Sequence, residues 1–144
     1  MKETIIILDG VDKTGKDTIQ NELIKISNGK FLVINRGFIS QIVYNRIYNR
    51  GINEDYFFKK ANTFYNLGIK FIVLTASENE LIKRFDIHDE KDLLKSDIKK
   101  HLDVFNSVVN DLIIKTNVRV LLIDTTKKSI NNTIIEILNY LGEN

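Results

Sequence analysis

Four short runs of this chain are almost wholly apolar and rich in β-branched residues: Thr4–Leu8, Phe31–Ile34, Ile69–Leu74 and Val118–Ile123. A strand with one face in water alternates apolar and polar side chains, whereas a strand buried on both faces reads as a continuous apolar run. Between the runs lie longer segments with apolar residues at helical spacing, as in Lys16–Ser27, where Ile19, Leu23, Ile24 and Ile26 recur before the stop signal Ser27-Asn28-Gly29. Strands joined by helical crossovers run parallel, with helices packed on the sheet. The sequence therefore predicts an α/β fold: a parallel sheet of about four strands with helices on both faces. Further helices are predicted over 39–48, 55–67, 92–115 and 129–141. A short one is capped by Ser77, with Glu80 completing a capping box. The charged stretch Asp86–Lys91 is read as a break.

The chain is 144 residues long and 43% apolar, which suits a single domain, 1–144, with a real core and excludes global disorder. It has no cysteine and only two histidines, so a disulfide framework, a thiolate metal site, a catalytic thiol and a His-rich metal cluster are all excluded. No apolar run approaches the ~18–20 residues of a membrane span. Met1-Lys2-Glu3-Thr4 runs straight into the first strand and leaves no room for a signal peptide. A cytoplasmic protein is expected, or one in a host cytoplasm if virus-encoded. The net charge of +2, from 21 basic and 19 acidic side chains, is too balanced to make nucleic acid the expected partner.

Ligands of a parallel sheet bind at the carboxyl ends of its strands. The first strand is followed there by Asp9-Gly10-Val11-Asp12-Lys13-Thr14-Gly15-Lys16-Asp17-Thr18, in which Gly10 and Gly15-Lys16 match G-x-x-x-x-G-K. Glycines let the backbone curl so that successive N–H groups face phosphate oxygens. The following helix adds its positive end and the lysine a point charge. Residues Gly10, Val11, Asp12, Thr14, Gly15, Lys16, Asp17 and Thr18 are therefore candidate nucleotide-binding residues. The position after the lysine normally carries Ser or Thr, whose hydroxyl holds Mg²⁺ without adding charge. Here it is Asp17. A carboxylate beside a triphosphate is repelled unless a cation lies between them.

With these residues in view, the chain resembles the thymidylate kinase family of P-loop kinases, in a short version. The eukaryotic and viral loop of that family is close to G-x-D-[RK]-x-G-K-[ST]-T, and Gly10–Thr18 departs from it only at Asp17. Asn35-Arg36-Gly37-Phe38-Ile39-Ser40 with Val43-Tyr44 is similar to the family's D-R-x-x-x-S-x-x-x-[YF] segment. Leu74-Thr75-Ala76 with Glu80–Arg84 and Asp89-Glu90 looks like its strand, L-x-x-R and lid passage, placing a lid around 84–92. Asp124-Thr125-Thr126 resembles the loop beside adenine.

The resemblance implies a P-loop NTPase-type sheet and transfer of the γ-phosphoryl group of ATP, with Mg²⁺, to a (deoxy)nucleoside monophosphate such as dTMP. It implies catalytic roles for Lys13 and Lys16 at the donor, Arg36 at the acceptor phosphate and Arg84 from the lid, and a nucleotide contact for Thr125. Asp17 and Asn35 then form a metal pair in which a carboxylate and a neutral ligand have exchanged places relative to the family.

Family members are usually some 200 residues long, and the strand and helix that supply much of their base pocket have no counterpart here. The base pocket would be rebuilt from Tyr44, Tyr48, Phe57, Phe58 or Phe64, residues that equally suit a core. The lid has no clear second arginine; His88 stands near that place. Lys99-Lys100-His101 reads as a solvated face. Three other readings stay open: a non-catalytic nucleotide- or partner-binding domain, a nucleoside kinase, and a 5′-end polynucleotide kinase. A homodimer is left open.

Overall fold

The computed structural model describes residues 1–88 and 97–142, the side chains of 86–88 excepted. Its elements run β1 (Thr4–Gly10), α1 (Lys16–Ile26), β2 (Phe31–Asn35), α2 (Phe38–Tyr48), α3 (Glu54–Asn66), β3 (Lys70–Thr75), α4 (Glu78–His88), α5 (Ile98–Lys115), β4 (Val120–Asp124) and α6 (Ile130–Tyr140). The strands form one parallel sheet in the order β2-β1-β3-β4.

Alternation along the strands feeds two cores. Ile6 and Leu8 of β1, Phe31 and Val33 of β2, and Ile72 and Leu74 of β3 pack against Ile19 and Leu23 of α1 and Ile134 and Ile137 of α6. Ile7, Phe71 and Val73 point the other way. They meet Ile39, Ile42 and Val43 of α2, Phe57, Phe58 and Ala61 of α3, Leu81 and Phe85 of α4, and Phe105, Val108 and Leu112 of α5. β1 and β3 are covered on both faces, as continuous apolar runs require, whereas the edge strands β2 and β4 leave Leu32, Ile34 and Leu122 exposed on one face, against the sequence expectation. Among the described residues no helix is long and apolar enough to cross a membrane.

The element ends follow local chemistry. The Ser77 hydroxyl accepts the Glu80 N–H at 3.2 Å, and Ser129 Oγ accepts the Asn132 N–H at 3.0 Å to cap α6. The expected break at Asp86 is not there, because α4 continues through His88. Nothing between Phe85 and His88 is a glycine or proline, so no residue forces the helix to stop. The rest of that charged stretch, and most of the expected lid, lies outside the described residues.

With β1 between β2 and β3, the chain leaves β1 for one neighbour and later returns to the other side. That reversal opens a crevice at the carboxyl end of β1. The loop between β1 and α1 lies in this crevice, and the turn from β2 into α2 stands beside it.

Candidate nucleotide-binding site

A cleft of about 790 Å³ lies over the loop after β1, within the usual range for small-molecule sites. It gathers Asp12 through Thr18 with Asn35 and Arg36 from the end of β2, Arg84 from α4 and Thr125 from the loop after β4. Gly10 and Val11 lie buried beneath it. Gly10 has φ +148°, and a Cβ there would overlap the Leu74 carbonyl of β3, so both backbone conformation and space demand glycine.

Lys16 is folded onto the loop. Its Nζ donates to the carbonyls of Gly10 at 2.8 Å and Val11 at 3.0 Å. The side chain is buried, and that burial lowers its pKa to about 8 despite the nearby carboxylates. The Thr14 hydroxyl donates to the Val11 carbonyl at 2.7 Å, tightening the same turn. Lys13 adopts φ +68° and sets its ammonium 5.8 Å from the centroid of Phe85.

Arg36 leaves β2 in a left-handed conformation, φ +70°. Its guanidinium pairs with Asp12 and donates to the Tyr44 hydroxyl at 3.2 Å. About half of its side chain remains open to the cleft (47%). Gly37 follows with no room for a side chain, since a Cβ would overlap Ile7 Cγ2.

Sequence reasoning missed the group that holds this turn. Asp9, the last side chain of β1 before the loop, is buried. Its Oδ1 accepts the Gly37 N–H at 2.8 Å, the Ser40 N–H at 3.2 Å and the Ser40 hydroxyl. Its Oδ2 has no partner. Burial pushes the carboxyl above the usual range, against the pull of these donors and Lys16. The signal was present: an acidic residue ending a doubly buried strand must find donors.

Asp17 and Asn35 do meet. Asn35 Nδ2 donates to Asp17 Oδ1 at 2.6 Å, while the buried Oδ1 of Asn35 has no partner. Among the described residues no three His, Cys, Asp or Glu side chains could hold a metal alone. The exposed Asp17 carboxylate nevertheless suits a hard cation that draws its remaining ligands from water and phosphate, and the Asn35 oxygen, now on the enclosed side, would join it only on a turn of the amide.

Arg84 and Thr125 act on the loop from outside. The Arg84 guanidinium donates to the carbonyls of Lys13 and Thr125, both at 2.8 Å, and its Nε donates to Glu80 at 3.2 Å. Thr125 is buried, with its hydroxyl 3.1 Å from the carbonyl oxygens of both Thr14 and Thr75. These contacts clasp the loop after β1 to α4 and to the end of β4.

Phe57 and Phe58 belong to the core, and Phe64 stacks on Phe38, so none of the three lines the cleft. Tyr44 and Tyr48 stack along α2 with Arg50 over both rings. His101, expected on a solvated face, is instead buried edge-on to Tyr44, and burial lowers its pKa; Lys99 and Lys100 are exposed as expected.

No family model matches the chain, and no curated protein matches it. Solved structures do. The structure of YorR protein from Bacillus subtilis in complex with phosphorylated GDP aligns over 96% of this chain and 96% of its own, with TM-score 0.78 and 17% identity. Thymidylate kinase from Candida albicans aligns over 98% of this chain and 92% of its own, with TM-score 0.68 and 15% identity. The chain has the fold of P-loop kinases.

Proposed function

We propose that the chain is a nucleoside-monophosphate kinase, similar to thymidylate kinase, that moves the γ-phosphoryl group of ATP to a (deoxy)nucleoside monophosphate. One observation carries this reading: the cleft holds two cations on neighbouring strand ends, Lys16 after β1 and Arg36 after β2, near enough that the arginine's charge bears on the lysine. Two anionic groups held by these two cations would meet between them.

Lys16 would exchange the Gly10 and Val11 carbonyls for the β and γ oxygens of the donor, alongside the loop N–H groups. Lys13 lies on the same loop, where a further positive charge would favour charge developing during transfer. Arg36 offers a planar fork to the acceptor phosphate, with Asp12 and Tyr44 setting its plane. Arg84 supports the loop through Lys13 and Thr125. Asp17 and Asn35 would hold Mg²⁺, which when bound neutralises charge on the phosphate oxygens. Catalysis of this kind is positioning and charge stabilisation, with no covalent step on the protein.

The deciding experiment measures ADP formation from Mg²⁺–ATP against a panel of nucleoside monophosphates, with free nucleosides as controls. The panel includes guanine nucleotides because YorR protein was solved with phosphorylated GDP. Turnover with a monophosphate supports the reading. Calorimetric binding of ATP with no turnover of any acceptor replaces it with a non-catalytic nucleotide-binding domain. Equal turnover of nucleoside and monophosphate points to a nucleoside kinase.

A further inference from the structure

Where α1 faces the end of β2, three side-chain amide or carboxylate groups share one corner of the cleft. Asn35 Nδ2 donates to Asp17 Oδ1 at 2.6 Å and lies 3.4 Å from Gln20 Oε1. Gln20 is itself fixed, because its Nε2 donates to the Val33 carbonyl at 2.8 Å, which leaves its oxygen facing the asparagine. On the far side of the same amide, Asn35 Oδ1 is buried and has no partner. Asp17 is exposed on the cleft side.

An amide beside a carboxylate has one stable orientation when nothing lies between them: nitrogen towards oxygen. A divalent cation reverses the preference, because Mg²⁺ takes oxygen ligands. Ligand oxygens on neighbouring corners around Mg²⁺ stand about 2.9 Å apart, and the Asn35 atom facing Asp17 is 2.6 Å from it. A half-turn of the amide would therefore set Oδ1 beside the Asp17 oxygen at a spacing that a small cation spans, with the backbone where it is. The enclosed side does not oppose the turn. Oδ1 makes no hydrogen bond there, so the turn breaks none and replaces one unpartnered atom with another. The orientation is decided on the cleft side alone.

We infer that Asn35 is a cation-operated swivel. Without a divalent cation its nitrogen fastens Asp17; when a cation arrives with nucleotide, the amide turns and presents Oδ1 beside the Asp17 carboxylate. Gln20 is the positioning residue of this pair. Its fixed oxygen stabilises the first orientation and opposes the turned one unless a cation, or a water on it, stands in the corner. The inference rests on the nucleotide-binding reading and extends it to a residue, Gln20, that the loop motif does not include.

The test is nuclear magnetic resonance of the Asn35 side-chain NH₂, assigned by its loss in Asn35→Ala, with backbone N–H signals of Gly15 and Lys16 reporting nucleotide. ADP in EDTA should shift the loop signals and leave the Asn35 NH₂ in place. ADP with Mg²⁺ should shift both, the NH₂ protons moving upfield as the bond to Asp17 is lost. In Gln20→Leu the bond to Asp17 still holds the cation-free amide, so the NH₂ signal should stay near its wild-type position, while less Mg²⁺ should be needed to move it; an unchanged Mg²⁺ requirement removes Gln20 from the device. Electron paramagnetic resonance of Mn²⁺ on the ADP complex should show about tenfold weaker metal binding in Asn35→Ala. If Mg²⁺–ADP moves the loop signals but not the Asn35 NH₂, or if Asn35→Ala binds Mn²⁺ as well as the wild type, the swivel is wrong while the nucleotide site stands. If ADP moves no loop signal, the nucleotide reading falls and the swivel with it.

Discussion

Lys16 should be a burden on the empty protein, and the size of that burden can be worked out. Its pKa falls from 10.5 to about 8 because the ammonium is buried. That fall corresponds to roughly 3 kcal/mol against carrying the charge in the folded state. The sign follows from proton counting. Between pH 8 and pH 10.5 the unfolded chain holds the proton and the folded chain has released it, so stability rises with pH across this window. Below pH 8 both states are protonated and the full penalty is in place. Lys16→Met keeps the apolar stem and removes the charge, while losing the bonds to the Gly10 and Val11 carbonyls, worth about 1 kcal/mol net. At pH 7 the variant should therefore be more stable than the wild type by about 2 kcal/mol, roughly 4–8 °C in Tm for a chain of this size. By pH 10 the gap should close or reverse. Urea unfolding of both proteins at the two pH values measures it, and taking the difference cancels the titration of the other groups. The same variant should bind Mg²⁺–ATP at least tenfold more weakly, about 1.4 kcal/mol. A Lys16→Met protein that is less stable at pH 7, or a gap indifferent to pH, would refute the reasoning.

Arg36→Lys keeps the charge but loses the planar fork, so turnover of the monophosphate acceptor should drop at least tenfold while ATP affinity stays within twofold; steady-state kinetics and calorimetry separate the two. Asp9→Ala strips Gly37 and Ser40 of their buried acceptor and should cost about 3 kcal/mol in urea unfolding. Asp9→Asn retains an acceptor oxygen and removes a buried charge whose pKa is raised, so above pH 4 it should be at least as stable as the wild type; a loss equal to that of alanine would contradict this. Asp17→Ser leaves two neutral groups at the cation, and Asn35→Asp places a second carboxylate beside the phosphates, so each alone should weaken Mg²⁺–ATP binding. The double variant should recover it, with a coupling above ~0.5 kcal/mol; an Asp17→Ser that binds more tightly by itself would indicate a site no longer built for metal.

The sheet was legible because each strand is apolar on both faces, a pattern set by local sequence alone. The turn after β1 was legible for the same reason: Gly10 to Lys16 are neighbours in the chain. Asp9 was not, since its donors at Gly37 and Ser40 are 28 and 31 residues away and nothing local marks them. His101 could have been read correctly. The buried positions of α5 are Ile98, His101, Phe105, Val108, Val109 and Leu112, a helical stripe that places the histidine inward; the adjacent lysines drew attention to charge rather than to phase. The aromatic residues of α3 were ambiguous in sequence because a ring suits a core or a nucleobase equally well, and only packing separates the two uses. Arg84 was singled out in the sequence, but its engagement with the Lys13 and Thr125 carbonyls depends on how α4 leans over the loop.

The left-handed turn at Arg36 has a consequence for how such a chain can change over time. The loop after β1 leads into α1 on one side of the sheet, and the turn carrying Arg36 leads into α2 on the other. Asp9 connects them, with its backbone in β1 and its carboxylate on the opening of α2. The Arg36–Asp12 pair and the Asn35–Asp17 bond join them as well, so each half can drift on its own layer only while these joints are kept. Substitutions along α2 away from Ser40 and Tyr44 leave the loop after β1 in place, whereas α1 can be rewritten only away from Asp17 and Gln20, which hold Asn35 beside the arginine.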